Sequence, residues 1–354
     1  MIAAADFNIT KVERSKLVDI SLENVPFGKY FTDHMLEVDY ENGEWQTPRI
    51  LPYQPLQLAP SLAALHYGQA IFEGIKAYKD GDGNPQIFRP YDNFKRFNIS
   101  AERMEMPVVP EYIFMEGLRL LIDIDRNWIP ALANHSLYIR PFMFASDEAI
   151  GVKPSEKYKF LIILSPTGPY YATPMRIYVE EKYVRAVEGG YGFAKAAGNY
   201  AGSLLASSEA HKKGYDQVLW MDAFEHKYVQ ECGTMNVFFI IGDKAVTPGL
   251  ESGTILEGVT RDSTIVLLRE MGFVVEERPL SIGEIIDAYK NDELKEIFGT
   301  GTAATISLIK ELKYKDTIMK FGVENWSIAP EVKRRMDAIK YGAEPDVYGW
   351  LYKI

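Results

Sequence analysis

Lys195 stands in a run of small residues, GGYGFAKAAGNYAGSLLASSEA from Gly189 to Ala210, just ahead of an amphipathic helical pattern. Glycine and alanine neighbours let a bulky group approach the backbone, and a lysine partly desolvated there has its ammonium form disfavoured. Its amine then becomes available near neutral pH as a nucleophile or base, which is what an imine-forming lysine needs. Glu231, in VQECGTMNVFF, lies on a strand-like run otherwise heading into a core. A carboxylate in that place needs a positive or protonated partner, because burying it unpaired is costly; a protonated pyridine nitrogen would serve. Taken singly, the lysine also reads as solvated in a glycine-rich loop, and the glutamate as lying on the exposed face of a half-buried strand.

Two further segments are suited to anions. ILEGVTRDSTIVLL places Gly258, Val259 and Thr260 at a helix start, where backbone N–H groups and the helix dipole attract a phosphate. FGTGTAAT, Phe298 to Thr305, follows a strand with glycines that bring N–H groups within reach of an oxyanion. The GTGTAA string also matches a Gly-x-Gly-x-x-Ala dinucleotide fingerprint, a dehydrogenase reading. Against it, the string runs on into the strand-like TISLIKELKY instead of a crossover helix, and too little chain follows for a doubly wound half. In the first half, Tyr67 and Phe72 of LHYGQAIFEGIKAY and Tyr138 and Arg140 of SLYIRP offer aromatic walls and a guanidinium for a carboxylate pocket. Aromatic residues on strands are as readily plain core.

These residues need elements to hold them. FRPYDNFKRFNISAERM carries Pro90 where the first turn of a helix tolerates it, and EYIFMEGLRLLIDIDRNWI repeats apolar residues at near-helical spacing. SLYIRPFMFAS and YKFLIILS read as strands. SPTGPYYATPM, with three prolines and a glycine, reads as a linker. Beyond it MRIYVEEKYVRA, DQVLWMDAF, KYVQECGTMNVFFII and KEIFGTGTAATISLIKELKY are expected as strands. Helices are expected at YAGSLLASSEAHKKG, VTRDSTIVLLREMG, SIGEIIDAYKND and APEVKRRMDAIKYG, the third opened by a Ser281–Glu284 capping box. Helices and strands mix without strict alternation, which is an α+β pattern.

Composition removes other classes. A length of 354 residues is enough for about two domains at ~150 residues each, and 47% apolar with 25% charged residues is a folded composition. The net charge of −10 disfavours nucleic acid as a partner. The single cysteine, Cys232, excludes an internal disulfide and favours a reducing compartment. Five scattered histidines form no zinc pair, so no metal is expected. The apolar runs FLIIL and VFFII fall far short of the ~20 residues of a membrane span, so no membrane association is expected.

GFAKAAGNY, ECGTMNVF, GVTRDS and FGTGTA, in order after LHYGQAIFEG and YIRP, together resemble the branched-chain amino acid aminotransferases among the fold-type IV pyridoxal phosphate enzymes. The resemblance implies a two-domain α+β fold of the D-amino acid aminotransferase type. A smaller N-terminal α/β domain would span 1–167, a linker 168–176, and a larger C-terminal domain with a mixed, barrel-like sheet 177–354, carrying the lysine. By the same resemblance, Lys195 would hold pyridoxal phosphate covalently, Tyr200 would bond its phenolic oxygen and Glu231 its pyridine nitrogen. Arg89, Val259, Thr260 and Thr302 would hold the phosphate. The N–H groups near Thr302 and Ala303 would receive the substrate α-carboxylate, and Tyr67, Phe72, Tyr138, Arg140 and Tyr170 would line the side-chain pocket. The implied reaction is ping-pong transamination of L-leucine, L-isoleucine and L-valine with 2-oxoglutarate, in a cytoplasmic homodimer. D-Amino acid aminotransferase and aminodeoxychorismate lyase share such a lysine and glutamate and stay open as alternatives. Ala304 and Ser307 stand where some animal relatives carry a Cys-x-x-Cys, so no thiol switch is expected there.

Overall fold

The aromatic and β-branched runs of the first half become strands because such side chains pack well on a pleated surface. The computed structural model describes residues 7–169 and 173–354, which divide into two units. The first contains 7–169, 194–197 and 338–354, and the second 173–193 and 198–337.

In the first unit, ten strands form one sheet among the described residues. Ala70–Phe72 (β1) and Ile75–Lys79 both pair antiparallel with Ser136–Ala145 (β2). Strand β2 in turn pairs with Tyr158–Thr167, and that strand with His34–Glu41. Helix α1, Pro90–Arg103, packs on the sheet and buries Asn93, Arg96, Phe97, Ser100 and Ala101. That stripe recurs every three to four residues, as a core-facing helix requires. Phe97 lies 5.7 Å from Phe114 and 5.4 Å from Phe160, ring centre to ring centre. Full burial of such a ring contributes about 1.5–3 kcal/mol. The expected helix at 111–129 forms as a π turn, Tyr112–Glu116, followed by α-helix over Gly117–Ile124. Gly117 permits its close approach, since a Cβ there would sit 2.7 Å from a Leu36 methyl.

Two segments from beyond residue 176 belong to the first unit. Residues 194–197, including Lys195, pack with the first unit, not with the C-terminal part. Ile71 and Ala196 form an isolated antiparallel bridge. The chain end also returns there, with Leu351–Lys353 pairing with Pro85–Phe88. Both pairings are long-range and leave no local pattern in the sequence.

The second unit carries a nine-stranded mixed sheet among the described residues. Its strands include Val229–Cys232 (β3), Asn236–Ile241 (β4), Leu294–Gly301 (β5) and Thr305–Tyr314 (β6). Strands β4, β5 and β6 run antiparallel in that order, and β6 pairs parallel with Met175–Val179. Two expected single strands prove to be two each. KYVQECGTMNVFFII turns at Gly233, which has a φ of 58°, a conformation cheap for glycine. KEIFGTGTAATISLIKELKY folds into the β5–β6 hairpin. GTGTAA therefore turns between antiparallel strands and opens no helix, which removes the geometry a dinucleotide fold needs. MRIYVEEKYVRA is strand only to Val179. Helix α2, Val259–Glu270, follows Gly258, and the Ser281 hydroxyl caps the next helix by accepting from Glu284 N–H at 3.1 Å. No helix among the described residues is long and apolar enough to cross a membrane.

Candidate active site

Lys195 is held by its backbone. Its N–H donates to Ser100 Oγ on α1 at 2.9 Å, and its carbonyl accepts from Phe72 N–H on β1 at 3.1 Å. Its Nζ lies 5.1 Å from the centre of the Phe72 ring. The Arg140 guanidinium lies 4.6 Å from that same ring and donates to Tyr138 Oη at 3.0 Å. Alternation along β2 explains the pair, because positions two apart point to one face of a strand. Arg140 Nε is buried without a hydrogen-bond partner. Gly74 admits the tyrosine, since a Cβ there would stand 2.3 Å from the Tyr138 hydroxyl.

Beneath these groups lies Glu73, wholly buried. Arg96 grips it with two bonds of 2.7 and 2.8 Å, Asn93 donates at 2.8 Å and Gly74 N–H at 3.0 Å. Burial pushes its carboxyl up, but Arg96 beside it, with Lys195 and Asn93, holds it below the usual carboxylate range. Arg89 caps α1 in the left-handed region, at φ 50°, with Nε on Asp92 at 2.7 Å and its guanidinium over Trp350.

The second unit gathers its own set. Glu231 is 3% exposed on β3 and pairs with Arg185, Nε to Oε2 at 2.8 Å. Its other oxygen accepts from Leu256 N–H at 2.8 Å. The buried carboxylate thus has a cation of its own, which the sequence did not disclose; the contact is an ion pair by distance and not an aligned hydrogen bond, since Arg185 Nε has no hydrogen-bond partner. Asn236 links the parts. It donates to Leu256 carbonyl at 2.9 Å, approaches Glu231 Oε1 at 3.5 Å, and faces Thr300 across the β4–β5 ladder. Its Oδ1 would lie 2.0 Å from a Cβ on Gly258, so only glycine lets α2 start against it. The residue that opens α2 is Gly258, which has no side chain to cap it, and Val259 and Thr260 are buried in the first turn. On the adjoining hairpin, Thr300 Oγ1 and Ser307 Oγ are buried without partners. Burial pushes the nearby Cys232 thiol up to about 12, with the Glu231 charge adding, so this thiol is inert.

The first unit thus brings Lys195, Phe72, Tyr138 and Arg140 together. The second brings Glu231, the α2 start and the hairpin before Thr302 and Ala303 together. Tyr67 is 41% exposed beside His66, and Tyr200 is half-buried in the short helix Ala197–Ala201. Tyr170 lies outside the described residues. Glu73, Asn93, Arg96, Ser100, Arg185 and Asn236 were not singled out from the sequence. The polar residues on the apolar stripe of α1 were the readable signal, since buried polar groups require partners.

A glycine-opened helix start beside a cradle that tolerates no Cβ fits a phosphate, and a buried carboxylate fits a protonated ring nitrogen. An amine against an apolar ring in the first unit fits a lysine that works by nucleophilic attack. These are the parts of a phosphate-bearing pyridine cofactor enzyme. Residues 70–312 match the family described as amino-transferase class IV, and the chain belongs to that family. The chain is 50% identical over 337 residues, 94% of each chain, to a probable branched-chain-amino-acid aminotransferase of Staphylococcus epidermidis. To branched-chain-amino-acid transaminase 1 of Bacillus subtilis it is 47% identical over 353 residues, 97% of this chain and 99% of that one. Among solved structures, the T.th. branched-chain amino acid aminotransferase complexed with N-(5'-phosphopyridoxyl)-L-glutamate superposes with a TM-score of 0.72. That match has 28% identity over 89% of this chain and 97% of that one.

Proposed function

We propose that this chain transaminates L-leucine, L-isoleucine and L-valine reversibly with 2-oxoglutarate, using pyridoxal 5'-phosphate held by Lys195. One observation carries the reading. The Phe72 ring has an amine at 5.1 Å and a guanidinium at 4.6 Å from its centre, which suits two kinds of substrate at once. An aliphatic side chain packs on the ring and leaves Arg140 untouched. A glutamate or 2-oxoglutarate side chain reaches Arg140 with its distal carboxylate, for which the guanidinium fork is matched. One methylene in such a pocket is worth only about 1–3 kcal/mol, so the three aliphatic donors are shared substrates.

When bound, pyridoxal phosphate supplies an electron sink for the pair left at the substrate Cα. Lys195 holds the cofactor through Nζ and moves the proton at Cα. Glu231, paired with Arg185, holds a proton on the pyridine nitrogen, and Tyr200 bonds the phenolic oxygen. Arg89, the α2 start at Val259 and Thr260, and Thr302 hold the phosphate. The N–H groups at Thr302 and Ala303 orient the α-carboxylate, and Tyr67, Tyr138 and Tyr170 complete the side-chain pocket. The reading includes a homodimer in the cytoplasm, supported by the resemblance and by the single reduced cysteine.

The test has two arms. Borohydride reduction of the cofactor-loaded protein followed by peptide mapping is expected to place the label on Lys195, and Lys195→Ala is expected to abolish both label and turnover. Separate incubation with L-leucine, D-alanine and aminodeoxychorismate is expected to give an oxo acid from L-leucine with 2-oxoglutarate. Turnover of D-alanine or of aminodeoxychorismate alone would transfer the chain to one of the related activities. A Lys195→Ala variant that keeps cofactor and activity would end the assignment.

A further inference from the structure

Lys195 sits in a segment with glycine at 189, 190, 192 and 198, so its own neighbours do little to fix its backbone. Position must come from outside. Lys195 N–H donates to Ser100 Oγ at 2.9 Å, and the Ser100 hydroxyl donates to the Arg96 carbonyl one turn back at 3.0 Å. The Arg96 guanidinium binds Glu73, and Phe72, bonded to Glu73, donates its N–H to the Lys195 carbonyl at 3.1 Å. Glu73 N–H meanwhile donates to the Pro141 carbonyl at 2.7 Å, beside Arg140 on β2. The contacts close into a ring that begins and ends at Lys195.

We propose that Ser100 is a positioning residue for the reaction, the member of this ring that sets where the Lys195 backbone, and hence its amine, stands. Ser100 is completely buried on α1. A hydroxyl has one proton to give, and this one goes to the Arg96 carbonyl, so its oxygen faces Lys195 as an acceptor. Serine bonding back to the preceding turn contributes little to its own helix, and alanine would be the better helix former. The hydroxyl therefore earns its place through the contact it makes outside the helix. A lysine on a flexible stem delivers its amine only as accurately as its Cα is held, and a misplacement of about 1 Å can cost ~100-fold in rate.

The inference rests on Lys195 being the reactive amine, as proposed above. Ser100→Ala removes the acceptor while suiting the helix, and Ser100→Thr keeps the hydroxyl. In the cofactor-free protein, hydrogen exchange at the Lys195 amide is expected to quicken about 3- to 10-fold in Ser100→Ala, the size of one lost hydrogen bond, while the α1 amides stay unchanged. In the loaded enzyme kcat with L-leucine is expected to fall about 10-fold with KM within twofold, the pattern of a misplaced reacting group. Ser100→Thr is expected to restore both. Exchange at Lys195 unchanged in Ser100→Ala, or kcat unchanged, would overturn the proposal. So would exchange that quickens equally through the whole of α1, because the hydroxyl would then serve helix stability. Wild-type protein whose Lys195 takes no borohydride label removes the functional reading itself. Normal labelling with an indifferent Ser100→Ala removes this inference alone.

Discussion

Arg96→Met isolates a buried charge that this arginine chiefly balances. Glu73 is 0% exposed and Arg96 8% at the side chain, and two of the carboxylate's bonds come from that arginine. Breaking a buried pair by removing one partner typically costs about 3–5 kcal/mol. Asn93 and Gly74 N–H still donate to Glu73 in the variant, which places the expected cost near the lower end, about 3 kcal/mol at pH 7.5. The pH dependence follows from the direction of the shift. In the wild type the Glu73 carboxyl lies below its ordinary value of 4.5, so its contribution to stability is present above that value and is lost as pH falls through the folded value. In the variant burial persists while the largest offset is gone, so the folded value rises above the ordinary one. Protonation then relieves the variant first, and the gap between the two proteins narrows on acidification from pH 7.5 towards 5. Urea unfolding followed by fluorescence of Trp128 and Trp350, both buried in the first unit, reads the gap at each pH. A Glu73→Gln/Arg96→Met double variant should recover most of the loss, since neither member of the buried pair then carries a charge. A cost under about 1 kcal/mol at pH 7.5, or one that grows as the pH is lowered, would refute the reasoning.

Gly258→Ala places a Cβ 2.0 Å from Asn236 Oδ1 and 3.1 Å from Arg261 Cβ. The amide must leave the Leu256 carbonyl, at an expected cost of about 1–3 kcal/mol. Retention of pyridoxal phosphate through dialysis should fall with it, and wild-type retention would contradict the placement of the phosphate at α2. Arg140→Met should raise KM for 2-oxoglutarate about 10- to 100-fold, the loss of a charged contact of roughly 1.5–3 kcal/mol. Single-turnover rates with L-leucine should stay within a few-fold, and equal losses in both half-reactions would separate Arg140 from the distal carboxylate.

Much of this protein could be read without coordinates because the signals are local. Pro90 at a helix start, the Ser281–Glu284 capping box, and the strands Ser136–Ala145 and Tyr158–Thr167, rich in aromatic and aliphatic residues, each act within a few residues. Lys195 and Glu231 stood out for a similar reason, as charged side chains in surroundings of small or apolar residues. The turns inside KYVQECGTMNVFFII and KEIFGTGTAATISLIKELKY were missed because β-propensity continues across them. Gly233 reverses the first, and Thr305, at a φ of 62°, ends the turn of the second.

Tertiary structure alone decided what surrounds the candidate site residues. No spacing rule joins Ser100 to Lys195 or Arg185 to Glu231, since each pair meets only after distant segments have packed. Likewise no local pattern foretells that Lys195 bonds through its backbone to Phe72 and Ser100 of the first unit. The residue types prescribe which chemistry is available, because an amine or a carboxylate has the same intrinsic reactivity wherever it lies along the chain. Which charges and hydrogen bonds surround it, and so how it is held and tuned, is set by long-range packing.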